Sequence, residues 1–256
     1  MPDDIQTKHP EIKIFFRGSW SEKEIIIKEV PTTRKTDAKL EEKIATDWQD
    51  ILEQAAKTKR EIWDSALYRL EKVTAVDNSL HFVLSTVLFS TRLTMKKYTA
   101  EIKQLGFEYN PRGMFASCLV ETSDGYFVFI KKSQKYFGAK QYAWVGGVLS
   151  KDEGEIKSGR DLFLAARREV VEELGVSSLQ IGETVLKVGY LTENWNVCLL
   201  FLVKLPLSRT ELLEIFRSNN DGEAADLVFL NVDNKSDWLA KFEAQDRTRL
   251  AVLGII

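Results

Sequence analysis

The stretch Arg167-Arg168-Glu169-Val170-Val171-Glu172-Glu173-Leu174-Gly175, RREVVEELG, decides how this chain is read. Glu169, Glu172 and Glu173 stand at i, i+3 and i+4. A helix would stack these three negative charges on one face, weakening itself by roughly 0.2–0.5 kcal/mol per pair. On a helical wheel Glu172 and Glu173 fall within about 60° of Glu169. Phe163, Val170 and Leu174 cluster near 120° on that wheel, as a buried stripe would, by about 100° per residue. The carboxylates therefore flank the stripe, at an edge where the helix meets another element. Ala165, one turn earlier, leaves room above them. Arg168 lies four residues before Glu172 and can orient it through a charge-assisted bond.

Convergent carboxylates with no matching lysines suit a hard divalent cation. Mg²⁺ and Mn²⁺ take oxygen ligands, and Mg²⁺ commonly bridges protein carboxylates and substrate phosphates. The spacing Arg-Glu-apolar-x-Glu-Glu-x-Gly-apolar is filled by Arg168, Glu169, Val170, Glu172, Glu173, Gly175 and Val176. At ordinary residue frequencies a chance match in a chain of this size is on the order of 10⁻⁵.

This pattern resembles the core of the Nudix box, and residues 111–256 resemble the Nudix hydrolase superfamily. The resemblance implies a strand–loop–helix motif in an α/β/α sandwich with a mixed sheet. It implies metal-dependent hydrolysis of a nucleoside diphosphate linked to another group. Glu169, Glu172 and Glu173 would be catalytic metal ligands, and Arg168 would hold a glutamate in place. Gly146-Gly147, after Trp144-Val145, resembles the glycine pair opening the box, where the Gly147 carbonyl would reach the metal. Glycine there lets the backbone turn sharply.

Two departures from the family pattern stand out. Arg160 occupies the position where the box has a further glutamate. Gly147 also lies thirteen positions before Arg160, where the pattern wants six. Gly154 has the regular spacing, but Gly146-Gly147 end a strand-like run and are favoured. The inserted stretch carries Asp152, Glu153 and Glu155, any of which is a candidate to replace the missing carboxylate.

Outward from the box, MFASCLVE (114–121), YFVFIKK (126–132), AWVGGVL (143–149), TVLKVGYL (184–191), VCLLFLVKL (197–205) and DLVFLNV (226–232) read as strands. Helices are expected over about 161–174, 210–216 and within 235–256. Lys131 and Lys132 end a strand and are candidates to meet phosphate oxygens. Glu223 sits on a Gly-containing loop, where the resemblance implies a further base or ligand. Trp144, with Tyr142 and Trp195, is a candidate to stack on a base or sugar.

Before residue 110 the pattern changes to a smaller α+β region. EIKIFF (11–16) and EIIIKEV (24–30) read as strands. A helix follows over 36–58 with Thr36 as N-cap, then a hairpin over 66–76 and 80–90 and a helix over 92–105. Tyr109-Asn110-Pro111-Arg112-Gly113 marks the boundary between 1–110 and 111–256. TDWQDILEQ, REIWDSALYRLEKV and LHFVLSTVLFSTRLTMKKY resemble the N-terminal region of the UDP-glucose diphosphatase branch. That likeness implies a UDP-sugar such as UDP-glucose as substrate. The branch's Gly-Thr-Asn after its Tyr helix is Thr99-Ala100-Glu101 here.

The bulk numbers fit this picture. The chain has 256 residues, 36 Lys+Arg against 38 Asp+Glu and a net charge of −2. No overall field draws it to nucleic acid or anionic membrane, so neither is expected as a partner. Two cysteines in apolar runs, Cys118 and Cys198, and the absence of a signal-like N-terminus suit a reducing cytoplasm. Two histidines give poor support to a zinc site or a Ser-His-Asp triad. The expected function is a Mg²⁺- or Mn²⁺-dependent nucleoside diphosphate-X pyrophosphatase. The alternatives are action on ADP-ribose or dinucleoside polyphosphates, or a Nudix-fold binding module without catalysis.

Overall fold

The computed structural model describes residues 13–59, 62–132, 142–192, 195–219, 224–231 and 244–253. The chain enters through β1 (Lys13–Trp20) and β2 (Ile25–Glu29), both rich in β-branched and aromatic residues. Helix α1 (Ala38–Lys57) follows. Asp37, one residue beyond the expected Thr36, caps it by accepting from the Leu40 N–H at 3.0 Å. β3 (Ala66–Val76) and β4 (Ser79–Leu88) form the expected hairpin.

The single helix expected over 92–105 is broken into α2 (Phe89–Thr94), a 3₁₀ turn (Met95–Tyr98) and α3 (Thr99–Leu105). The Thr94 hydroxyl donates back to the Ser90 carbonyl at 2.8 Å, a bond that bends helices. Then come β5 (Met114–Glu121), β6 (Tyr126–Lys132), a 3₁₀ turn (Lys151–Glu153) and α4 (Gly159–Leu174). β7 (Thr184–Leu191), β8 (Val197–Lys204), α5 (Arg209–Asn219), β9 (Ala224–Asn231) and α6 (Ala244–Leu253) complete the described chain.

Among the described residues six strands form a mixed sheet in the order β1-β7-β8-β5-β6-β9, in which β5 and β8 alone run parallel. Strand alternation sorts its side chains to two faces. Ala116, Cys118, Val128, Ile130, Leu199 and Phe201 pack towards α4 and α5. Leu119, Phe127, Phe129, Cys198 and Leu200 pack with Leu250 and Val252 of α6 on the other face. The result is an α/β/α sandwich. A second sheet, β2-β4-β3, joins the first face, so Tyr68 and Phe82 share one core with Met114 and Phe163. β1 is itself paired with β7. The division at residue 110 is thus one of chain order, and the core crosses it. No helix among the described residues is long and apolar enough to cross a membrane.

One feature of the sheet builds the site. β5 and β6 pair only at Val120–Val128 and Glu121–Phe127. Beyond that point residues 143–149 wedge between them. Ala143 exchanges hydrogen bonds with Ile130 of β6, at 2.8 and 2.9 Å. Val145, Gly147 and Leu149 bond to Cys118, Ala116 and Met114 of β5 at 2.7, 3.0 and 3.0 Å. The strand expected over 143–149 is therefore a run of single bridges. Gly146, at φ 146°, breaks the regular ladder.

Candidate metal centre and active site

Helix α4 is fixed at both ends by local chemistry. Ser158 and Asp161 form a reciprocal capping box at its start. Gly175, in the left-handed region at φ 70°, closes its last turn by donating to the Val171 carbonyl at 2.9 Å. Phe163, Val170 and Leu174 are fully buried, as the stripe requires. That orientation lays the next face of the helix against the wedge. Glu169 and Glu173 are consequently buried at 8% and 9% exposure, while the Glu172 side chain stays 57% exposed at the rim.

The glycine pair lies directly against these carboxylates. The Gly146 N–H donates to Glu173 Oε2 at 2.7 Å. A Cβ on Gly147 would stand 2.3 Å from Glu169 Oε2, and one on Gly146 would stand 2.2 Å from the Ala116 carbonyl oxygen. At Gly146, with φ 146° and backbone in the way, no other residue fits, and at Gly147 a Cβ would have to displace the Glu169 carboxylate. Gly154 has nothing within 4 Å of where its Cβ would be, so Gly146-Gly147 is the pair that abuts the acidic helix. The Gly147 carbonyl already accepts from the Ala116 N–H at 3.0 Å, which leaves it one lone pair.

Arg168 is surrounded by carboxylates. Its Nε stands 3.6 Å from Glu172 and its Nη2 stands 3.8 Å from Glu169. The expected Arg168–Glu172 pairing is thus an ion pair only. Arg168's hydrogen bonds go to Glu153, with Nη1 donating to the Glu153 carbonyl at 2.6 Å and Nη2 to its carboxylate. The 3₁₀ turn Lys151–Glu153 in the inserted stretch brings this residue in. Glu155 instead pairs with Lys157. Arg160 is exposed on the first turn of α4.

Burial, and then the charges of Glu173, Glu153 and Glu172, push the Glu169 carboxyl up to about 8 against the lone favourable pull of Arg168. Burial, with Glu172 and Asp152, also raises Glu153 despite Arg168. Beneath them, burial and then Glu169 and Glu173 push the Cys118 thiol well above its usual value, which excludes a thiolate nucleophile there.

As the side chains stand, no group of three His, Cys, Asp or Glu residues among the described residues closes round one point. The donor chemistry nonetheless fits a hard dication. Glu169 is a buried carboxylate that accepts no hydrogen bond among the described residues, and a cation beside it would favour its ionised form.

No family model matches this sequence. No curated protein matches it either. Among solved structures, the chain is similar to a Nudix hydrolase from M. smegmatis at 14% identity and TM-score 0.36, covering 57% of this chain and 88% of that one. It is similar to a MutT protein from Methanosarcina mazei Go1 at 14% and 0.36, covering 55% and 91%. It is also similar to an Ap4A hydrolase from C. elegans at 18% and 0.34, covering 56% and 98%. At such values the chemistry rests on the residues above.

The remaining expected site residues fall elsewhere. Trp144 is 4% exposed and meets Phe129 edge-on at 5.4 Å between ring centroids. It belongs to the α6 face, while the next residue, Val145, faces α4. Alternation along the wedge thus turns Trp144 away from the carboxylates, and stacking on a substrate there is corrected to core packing. Tyr142 packs on the same face, and Trp195 packs against Phe107 at 6.1 Å. Lys131 is exposed and follows Ile130, which faces α4, so alternation sends Lys131 to the opposite face as well. Of Lys132 the backbone alone is described, at a shift in the β6–β9 register. Glu223 lies outside the described residues.

Sequence reasoning missed Trp63. It is 64% exposed and lines a cavity of about 260 Å³ with Leu67, Phe89, Val148, Ser150 and Glu153. β3 is tied to this wall, with the Tyr68 N–H donating to the Leu149 carbonyl at 2.8 Å and the Ile156 N–H donating to the Tyr68 hydroxyl at 2.7 Å. No local pattern around Trp63 signals this role, because the wall forms only where β3 meets the inserted stretch.

Proposed function

We propose that the protein is a Nudix-type hydrolase that cleaves the diphosphate linkage of a nucleoside diphosphate-linked compound, with a UDP-sugar such as UDP-glucose as the substrate to test first. One observation carries this reading. Glu169 is buried against Gly147, accepts no hydrogen bond among the described residues and is flanked by three further carboxylates. A structural helix face gains nothing from such an arrangement.

Glu169, Glu172 and Glu173 would hold Mg²⁺ or Mn²⁺. When bound, such an ion offsets the charge gathering on the non-bridging phosphate oxygens. Glu172, the most exposed of the three, takes the proton of a water whose oxygen attacks one phosphorus. The bridging phosphorus–oxygen bond breaks as the new one forms, and the departing phosphate keeps the electron pair. Arg168, tethered by Glu153, holds the carboxylates in register. Residues before 110 supply the wall at Trp63 and Leu67 beside the acidic centre. Two free, buried cysteines accord with a reducing cytoplasm as the proposed location.

The test is turnover of a panel of UDP-sugars, ADP-ribose and dinucleoside polyphosphates with Mg²⁺ or Mn²⁺. The parent is expected to release phosphorylated product from at least one member. Glu172→Gln should lower kcat at least about a hundredfold with an unchanged fold. Full activity in that variant sinks the assignment. Absence of turnover across the panel, together with no Mn²⁺ uptake by calorimetry, leaves a binding module.

A further inference from the structure

A cavity of about 320 Å³ opens between β1, β3 and the turn before β5, sharing no lining residue with the cavity beside Arg168 and Glu153. Lys13, Phe15, Glu71, Lys72, Phe107 and Arg112 line it. Arg112 is 7% exposed, and its guanidinium lies 4.8 Å over the Phe107 ring. Lys13 Nζ lies 5.0 Å from the same ring. Arg112 donates from Nη1 to the Glu71 carbonyl and from Nη2 to Glu71 Oε2, each at 3.2 Å. A guanidinium carries five N–H groups. Among the described residues the Nε atom of Arg112 is buried without a hydrogen-bond partner, as are Nε of Arg69, which backs Glu71, and Nδ2 of Asn110 in the same turn. Buried donors of native proteins are nearly always satisfied, and of these three residues Arg112 alone lines the cavity, so its Nε is the donor that an acceptor bound there would meet.

The charge balance points the same way. Arg69 and Arg112, both buried, share the single carboxylate of Glu71. That carboxylate also accepts from Ser85 and from the backbone and hydroxyl of Thr33, so it has little left to offer a second cation. Lys13 and Lys72 have no carboxylate within ion-pair distance among the described residues. Two buried guanidiniums thus share one anion, while the exposed Lys13 and Lys72 add positive charge at the cavity mouth, and a buried charge without its full complement is strongly unfavourable. Arg112 is also held in the left-handed region at φ 43°, where its N–H donates to Asn110 Oδ1 at 2.8 Å. A non-glycine residue persists there only when its surroundings over-determine it.

We propose that this cavity is a binding site for a phosphate-class anion, distinct from the acidic centre, with Arg112, Lys13 and Lys72 as its cationic contacts and Phe15 and Phe107 as its apolar walls. The anion is either free inorganic phosphate or the phosphate of a nucleotide, and the two arms of the test separate them. The full chain is stripped of metal with EDTA, which keeps phosphate from binding through a cation at the acidic centre. Inorganic phosphate and UMP are then titrated separately at constant ionic strength, by calorimetry and by ³¹P line width.

The parent is expected to bind at least one of them. The exposed-side double variant Lys13→Gln/Lys72→Gln should bind at least about tenfold more weakly, the equivalent of one lost charge-assisted bond. Tighter binding of UMP assigns the site to a nucleotide, and equal binding assigns it to phosphate itself. A parent that binds neither overturns the proposal, as does a double variant that keeps the parent's affinity. Because no metal is present, neither result bears on the hydrolase reading.

Discussion

Glu71 and Glu169 are buried alike, with side chains 6% and 11% exposed, yet they titrate far apart. Burial pushes both up. At Glu71 the hydrogen bonds from Ser85, Thr33 and Arg69 outweigh it and hold the carboxyl at about 2. At Glu169 no hydrogen bond from the described residues answers burial, three carboxylates add to it, and the group rises to about 8. The difference lies in how many donors the fold aims at each one, since burial itself is common to both. A satisfied carboxylate stitches the turn at 110–112 to β3. An unsatisfied one is held towards its neutral form, and a cation beside it would favour the ionised form.

Four measurements test this contrast. The largest effect should come from Glu71→Ala, which leaves two guanidiniums buried without their anion. Urea unfolding at neutral pH should show a loss of about 3–5 kcal/mol. A loss below 1 kcal/mol, by the same scale, would mean that the arginines reach solvent or another acceptor.

Next is the acid limb of the stability profile. Glu71 has a folded pKa depressed from 4.5 to about 2, so its contribution is present above 4.5 and lost as pH falls through that window. The loss should be roughly 3 kcal/mol. Glu71→Gln should flatten this part of the curve.

Glu169→Gln should act in the opposite sense. Its folded pKa is raised from 4.5 to about 8, so in metal-free protein ionising it works against the fold, increasingly as pH rises through that interval. The variant should gain about 1–3 kcal/mol over the parent at and above pH 8, the penalty of an unsatisfied buried group, and nothing at pH 4. It should lose activity at the same time. A variant that is less stable than the parent at high pH would show that Glu169 is satisfied in a way the contrast denies.

The smallest effect is Thr33→Val, which removes one hydroxyl donor from Glu71. It should destabilise by about 1 kcal/mol and move the acid limb to higher pH.

The reach of sequence reasoning follows from the range of the interactions involved. Helix α4, its buried stripe and its acidic face were legible because residues three and four apart must meet on a helix. Its stop at Gly175 is equally local. The choice of Gly146-Gly147 over Gly154 was readable from the strand-like run before it. Other features depended on distant partners. Arg168 meets Glu153 across fifteen positions, through a turn that no spacing rule announces. Arg112 meets Glu71 across forty-one positions, in a turn that reads as a simple boundary. Trp144 looked available for stacking because a run containing two glycines does not declare which way each side chain points.

Residue order by itself determined the acid-bearing helix, the glycine pair, the alternating strands and the chemistry a dication would find there. Those are properties of neighbours along the chain, set by helical and strand periodicity. Only the folded molecule decided which glutamate is satisfied and which is not, that the segment at 143–149 parts β5 from β6, and that Trp63 shares a cavity wall with Glu153 while Trp144 packs in the core. Each of these depends on side chains far apart in sequence sharing one small volume, and periodicity carries no information about that.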